Sequence, residues 1–559
     1  MHNNDSQDAY LTDTRLHATD ARCLPPSLAW PPDVAQRYQD AGYWQADTLS
    51  THIIRWQQTY SEHIALIAEG HAWPYWKLIG QGRRFATMLS QHGVSPGDTV
   101  LVQLPNGADF AVALFALLLI GAVPVMVVPT LCTKTVLQVA VQARARRYLG
   151  SARLCHSENE ALTTQLAECG CRTLFSGKAD RFCFCQDTMI AAPPPGDAAG
   201  NIALLLLSGG TTGIPKLIPR THADYGYNFQ RCAELCALSE RDRYLAVLPM
   251  AHNFSLACPG ALGVWSRGGC VVVPATPAPE DAFAAIARFG VTLTALVPSL
   301  SQCWLEALDS ERPDLRSLRL IQVGGAKLDA IRAGAMLNRF GCQLQQVFGM
   351  AEGLITATRL DDTPHTILNT QGRPLCEDDD IRIVDPAGIA VSPDNAGELW
   401  VRGPYTIRGY FCTDPSDEQP FTPEGFYRSG DRVRRLPDGN LCVEGRIKET
   451  INRHGESVGP GDIEEALRLH PDVRDVAVVA GLDETVHAVV VAKRSLLLAD
   501  LCAFLEHQGV PVSRWPDALS VVKALPLTPM GKINKQALTA RILERVREQV
   551  KDNHDGISQ

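Results

Sequence analysis

Short apolar runs recur along the first two thirds of the chain, with stretches of helical spacing between them. Thr99–Leu104, Ala122–Val128, Leu204–Leu207, Tyr244–Leu248, Cys270–Val273, Leu293–Val297 and Leu318–Val323 are of this kind. A strand that is apolar on both faces must be covered on both, and alternating helices supply that cover. The pattern therefore predicts parallel α/β sheets. Phe110–Val128, FAVALFALLLIGAVPVMVV, is the longest uncharged run, at 19 residues, which is just enough for a membrane span. Gly121 and Pro124 divide it, Asp109 precedes it, and no Lys/Arg cluster marks either flank. It reads as a buried helix followed by a buried strand, with no membrane association.

The pattern changes around Asp380–Tyr410. Short alternating runs are separated by turn residues at Pro386–Gly388 and Pro393–Asn395, which predicts a small antiparallel or β-barrel-like subdomain. A further unit begins near Arg446–Glu449. There Asp462–Leu469 and Asp500–Gln508 read as helices, and VRDVAVVA and VHAVVVAK read as strands. The expected organisation is a loose tail over 1–25, a large α/β domain over 26–447 and a small α+β domain over 448–559. No internal repeat is visible.

Composition narrows the choice. The 559 residues are 45% hydrophobic and 20% charged, which excludes general disorder and low-complexity architectures. Lys plus Arg number 52 against 61 Asp plus Glu, a net charge of −9. With no long basic run, no nucleic-acid partner is expected. The 17 cysteines are spread along the chain, and the closest pairs, Cys169/Cys171 and Cys183/Cys185, lack zinc-ribbon spacing. They read as reduced thiols used as small apolar residues. The polar start lacks the apolar core and basic flank of a secretory signal, so a cytoplasmic location is expected.

The stretch richest in chemistry is LLSGGTTGIPK, Leu206–Lys216. A strand ends in a loop where Gly209, Gly210 and Gly213 let the backbone turn its N–H groups onto an anion. Ser208, Thr211 and Thr212 add hydroxyl donors, and Lys216 adds a mobile charge. The loop suits a polyphosphate. It is not a Walker A motif, because Lys216 follows Pro215 and no Ser or Thr comes after it.

Six more segments follow in order: QVGGAKL (322–328), QQVFGMAEG (345–353), GELWVRGP (397–404), YRSGDR (427–432), GRIKETINRHGESV (445–458) and PLTPMGKINK (526–535). With the loop, this set resembles the acyl-adenylate-forming superfamily of acyl-CoA synthetases, luciferases and adenylation domains. The resemblance implies ATP as co-substrate and Mg²⁺ as cofactor. It implies that Gly324, Gly325 and Ala326 lie flat against adenine and that Phe348 stacks on the base, within the nucleotide-binding stretch Val347, Phe348, Gly349, Met350, Ala351 and Glu352. Glu352 is expected to ligate Mg²⁺, Asp431 to accept from the ribose hydroxyls, and Arg446 to contact the sugar or phosphate. Lys532, carried by the small domain, is expected to reach the substrate carboxylate and α-phosphate. Lys448 is expected to be the hinge about which that domain rotates, bringing the Gly455 region to an incoming thiol.

A narrower resemblance lies at PMAHNFSLACPGALG (249–263), with RYQDAGYW (37–44) near the start and NTQGRPL (369–375) downstream. These segments are most similar to the aryl-acid-activating enzymes of siderophore assembly, the 2,3-dihydroxybenzoate–AMP and salicylate–AMP ligases. The resemblance places His252 beside the acyl pocket as a candidate catalytic group. It places Asn253 on the ortho-hydroxyl side of the ring, and Phe254, Val347 and Ile355 as apolar walls beside Gly325. Cys258 stands where the dihydroxybenzoate enzymes have Ser. A thiol is a weak hydrogen-bond partner, and burying a 3-hydroxyl against it costs about 1–3 kcal/mol. Salicylate is therefore the expected acid, with 2,3-dihydroxybenzoate the alternative. The expected acceptor is the phosphopantetheine thiol of an aryl carrier protein; an aryl-CoA ligase is the rival. After Val479 the chain departs from the family pattern, with a shortened hairpin at GLDETVHAVVVAKR.

Overall fold

The computed structural model describes residues 20–151, 156–175, 198–209, 214–412, 420–453, 456–481, 485–528 and 531–544. Two largely parallel sheets form the large domain. The first has six strands in the order Arg172–Phe175, Arg147–Gly150, Thr99–Gln103, Val123–Met126, Ile202–Leu207, Leu217–Thr221, with only the last pair antiparallel. The second has nine. Its parallel centre runs Gln343–Met350, Leu320–Gly324, Leu293–Leu296, Arg243–Leu245, Cys270–Val272, Ile64–Ala68. Gly353–Ala357 and Arg373–Pro374 extend one edge antiparallel, and His71–Pro74 extends the other. Apart from the long run at 110–128, each apolar run named above overlaps one of these strands, least at Tyr244–Leu248, where the strand keeps only Tyr244 and Leu245 of the run.

The 19-residue apolar run divides at Gly121. The helix Ala108–Ile120 is buried at every position except Asp109, and the strand Val123–Met126 is buried throughout. The helix packs on Tyr75–Gln91, where Gly82 lets the Phe115 side chain approach. Among the described residues no helix is long and apolar enough to cross a membrane. Of the stretch expected to be a tail, residues 20–25 lie against the body: Ala21 N–H donates to Gly97 O, and Leu24 packs on the core beneath the six-stranded sheet.

The antiparallel subdomain is a four-stranded sheet, Asp380–Val384, Gly397–Arg402, Tyr427–Arg435 and Leu441–Arg446. The small domain pairs Val473–Ala480 antiparallel with Val486–Ala492, which in turn runs parallel to Ala518–Val521. Helices Pro460–Arg468 and Leu498–His507 cover this sheet. The shortened hairpin closes tightly: Ala480 lies opposite Val486, and Gly481 N–H donates to Thr485 O at 2.8 Å.

The small domain is docked on helices Pro298–Ser310 and Ala330–Phe340 of the large one. Ion pairs cross the seam between Lys327 and Glu465 (3.2 Å), Arg332 and Asp475 (3.1 Å), and Arg474 Nε and Glu306 (3.0 Å). Ser299 Oγ donates to Gly531 O at 2.6 Å.

Candidate active site

Parallel strands place their carboxyl ends on one side of a sheet, where a cleft forms. Leu293–Leu296 and Leu320–Gly324 end there, followed by Val297 and Gly325, and Phe348 stands near the end of the adjacent Gln343–Met350. A Cβ on Gly324 would stand 2.8 Å from Val347 O and 3.0 Å from the Phe254 ring. Gly325 has φ +85°, and a Cβ there would stand 3.2 Å from Lys532 Cε. Both positions therefore require glycine: the first for space, the second for conformation as well.

The phosphate loop begins as a closed hairpin. Lys216 N–H donates to Ser208 Oγ at 2.9 Å, and Ser208 N–H donates to Lys216 O at 3.0 Å. Gly209 opens to space; Gly210, Thr211, Thr212 and Gly213 lie outside the described residues. The Lys216 ammonium stands 4.7 Å over the Tyr410 ring. The Tyr410 hydroxyl donates to Glu352 Oε1 at 2.9 Å, and Ile407 N–H donates to the Glu352 carbonyl at 2.7 Å. Glu352 is thus a buried carboxylate held at the turn between two strands. Among the described residues no three His, Cys, Asp or Glu side chains are grouped to hold a metal. An ion bound here would take one carboxylate from the chain and its other ligands from phosphate and water. That donor set fits Mg²⁺, which gives up its waters reluctantly.

Asp431 and Arg446 face each other across adjacent strands and form an ion pair at 2.7 Å. Burial pushes the Asp431 carboxyl up to about 6, against the opposing pull of Arg446 and Lys532. Lys532 arrives from the small domain on a turn where its N–H donates to Thr528 Oγ1 at 3.2 Å and its carbonyl accepts from Thr528 N–H at 2.7 Å. Burial lowers the Lys532 ammonium from its usual range; Arg446 lowers it further, while Asp431 and Glu352 oppose. Lys448 sits in the exposed turn Ile447–Glu449, just beyond the Asp431–Arg446 pair. On its far side Glu449 pairs with Lys535 of the small domain at 3.2 Å.

The short helix Asn253–Ala257 carries the residues expected to line the acyl slot. His252 caps it, with Nδ1 accepting from Phe254 N–H at 3.2 Å. Burial pushes His252 down to about 3, and the Lys532 charge adds to the effect, so its imidazole is neutral. Asn253 Nδ2 donates weakly to Cys258 Sγ at 3.5 Å, and both residues are buried. Cys232 and Cys258 are both buried, and the neighbouring Cys258 together with burial pushes the Cys232 thiol well above its usual range. Ile355, opposite Gly349 in the hairpin, is fixed by its N–H donating to the Tyr405 hydroxyl at 3.1 Å.

The cleft thus brings together Gly324, Gly325, Val347, Glu352, Asp431, Arg446, Lys532, His252, Asn253 and Phe254. Several supporting residues carry no motif signal: Tyr410 beneath Lys216, Ser299 under Gly531, Tyr405 behind Ile355, and Tyr225. The Tyr225 hydroxyl donates to Asn253 Oδ1 at 3.0 Å. Its helix, His222–Leu235, starts with a reciprocal cap in which Thr221 Oγ1 accepts from Asp224 N–H and the Asp224 carboxylate accepts from Thr221 N–H. The signal for that cap was present as Thr221-x-x-Asp224; nothing local pointed from Tyr225 to Asn253.

The family described as AMP-binding enzyme matches residues 53–411, and its C-terminal domain matches residues 462–532. Over 536 residues, 92% of this chain and 94% of the relative, the chain is 44% identical to the salicyl-AMP ligase / salicyl-S-ArCP synthetase of Mycobacterium tuberculosis (strain ATCC 25618 / H37Rv). It is 40% identical over 529 residues, 92% of this chain and 98% of the relative, to the 2,3-dihydroxybenzoate-AMP ligase of Bacillus subtilis (strain 168). Among solved structures, apo MbtA of Mycobacterium smegmatis is 45% identical with a TM-score of 0.70, covering 91% of this chain and 98% of that one.

Proposed function

The chain belongs to the AMP-binding enzyme family, in its branch of aryl-acid–AMP ligases of siderophore biosynthesis, and on that premise we propose that its acid is salicylate and its acceptor the phosphopantetheine thiol of an aryl carrier protein. The observation that carries the choice of acid is the buried Cys258 sulfur against the Asn253 amide. A 3-hydroxyl placed there would lose water and gain only a weak partner, at a cost of about 1–3 kcal/mol.

In the first half-reaction the aryl carboxylate attacks the α-phosphorus of ATP in line, and pyrophosphate leaves. Lys532 bridges the carboxylate and the α-phosphate and offsets charge that develops between them. Lys216 and the loop from Ser208 hold the β and γ phosphates, Asp431 and Arg446 hold the ribose, and Phe348 covers the base. His252, neutral, orients the acid and adds no charge. Glu352 would hold Mg²⁺, which, when bound, shields the triphosphate. In the second half-reaction the small domain turns about Lys448, Lys532 withdraws, and the carrier thiol attacks the mixed anhydride. The aryl thioester forms and AMP leaves.

The test is ATP–pyrophosphate exchange with a panel of benzoic acids. Salicylate is expected to exceed 2,3-dihydroxybenzoate in kcat/KM by roughly tenfold or more, and Cys258→Ser is expected to narrow that gap. Equal efficiencies in the wild type, or a ratio untouched by the substitution, would remove Cys258 from the choice of acid. Release of AMP with coenzyme A as efficient as with a phosphopantetheinylated, unacylated carrier protein would replace the carrier by CoA as acceptor.

A further inference from the structure

Tyr225 meets the cleft through Asn253, whose amide its hydroxyl orients. Its side chain is fully buried. Among the described residues its hydroxyl has one hydrogen-bond partner, Asn253 Oδ1 at 3.0 Å. A phenol in a dry place must donate its hydrogen, because an unmatched donor there costs about 1–3 kcal/mol. Donation to Oδ1 settles which way the amide faces. The oxygen turns toward Tyr225, and Nδ2 turns toward Cys258, the side on which the proposed acid would lie. Sulfur accepts weakly, so the amide retains N–H capacity for a bound ring.

The ring of Tyr225 is itself clamped. The Arg220 guanidinium lies 4.7 Å from its centroid. Arg220 is held by Asp224 (2.8 Å), by Ala351 O (3.1 Å) and by Tyr405 O (3.4 Å). Arg220 is fully buried and Asp224 nearly so, so the phenol has little room to swing away.

We propose that Tyr225 is a positioning residue that makes the slot read the ortho substituent of the acid as a hydrogen-bond acceptor, and so separates 2-hydroxy from 2-amino benzoic acids. The inference rests on the salicylate reading above. In salicylate the hydroxyl hydrogen turns into the neighbouring carboxylate, and the oxygen faces outward with lone pairs free to accept. In 2-aminobenzoate one N–H turns to the carboxylate and the other points outward. The nitrogen lone pair is delocalised into the ring, so a donor meets the Asn253 donor. Without the Tyr225 hydroxyl the amide is free to flip, and Oδ1 then accepts from the amino group.

The experiment compares pyrophosphate exchange with salicylate and with 2-aminobenzoate in the full-length wild type and in Tyr225→Phe. The wild type is expected to favour salicylate by roughly a hundredfold or more. In Tyr225→Phe the ratio is expected to fall about tenfold, with KM rising for salicylate and falling for 2-aminobenzoate. A general packing defect would weaken both acids together, and that result, like an unchanged ratio, overturns the proposal. If Tyr225→Phe does not fold, the wild-type ratio decides: similar efficiency with both acids overturns the proposal, and strong discrimination supports it. Exchange with neither acid overturns the functional reading, and the proposal falls with it. Exchange with salicylate but no discrimination overturns the proposal alone.

Discussion

Burial decides which side chains around the nucleotide can change charge. His252 is pushed to about 3 and stays neutral at working pH, so no imidazole limb should mark the rate. Asp431 is raised to about 6, and in its proposed role it accepts more strongly from the ribose hydroxyls when ionised. The fraction ready to bind therefore grows as pH rises through 6, and kcat/KM for ATP should show an acid limb there. Asp431→Asn should lower kcat/KM and abolish the limb; a limb that survives the substitution belongs to another group. On the alkaline side Lys532 sheds its proton below the ordinary lysine value, so exchange should decline early as pH rises, and Lys532→Arg should move that decline upward. Asn253 and Cys258 could be found in the sequence because they sit within one short segment. Tyr225 could not, because its bond spans 28 positions and an aromatic on an amphipathic helix ordinarily marks a core face.

At the scale of elements, the hairpin Gln343–Met350/Gly353–Ala357 supplies Phe348, Glu352 and Ile355 together. The Glu352 carboxylate, proposed to hold Mg²⁺, is steadied from outside by Tyr410. Tyr410→Phe should raise the free magnesium needed for half-maximal exchange by roughly tenfold, as loss of a group that orients a ligand does. A magnesium titration of wild type and variant reads this directly, and coincident curves would assign the hydroxyl to packing alone. Element types were legible throughout, because apolar runs and helical spacing report burial directly. Their ends were less so. Tyr244–Leu248 reads as one strand, yet the strand is Arg243–Leu245, because the Asn106 amide bonds the carbonyls of Ala246 and Leu248 at 2.9 and 2.8 Å and draws the chain out of the ladder. The helix read from Asp462 begins at Pro460, where proline's missing N–H costs nothing at a first turn.

For the whole molecule, seven ordered motifs told that a lysine near the C-terminus must reach a nucleotide held by the large domain. They did not tell what holds it there. No motif links Glu306, Lys327, Arg332, Glu465, Arg474 and Asp475, and the docked arrangement pairs them across the seam. Partly exposed pairs of this kind contribute about 0–1 kcal/mol each and weaken as salt screens them. The joint substitution Arg332→Ala/Arg474→Ala should therefore slow pyrophosphate exchange several-fold at low salt and flatten its salt dependence. An exchange rate indifferent to the pair would mean that the seam is held elsewhere.

A further fastening joins the Ser299 hydroxyl to the main-chain oxygen of residue 531. Every amino acid supplies that oxygen, so mutation at 531 cannot delete the acceptor, while its φ of +76° penalises any replacement for glycine. Selection can thus adjust this one attachment from the large lobe alone, whereas each ion pair of the seam can be lost from either side.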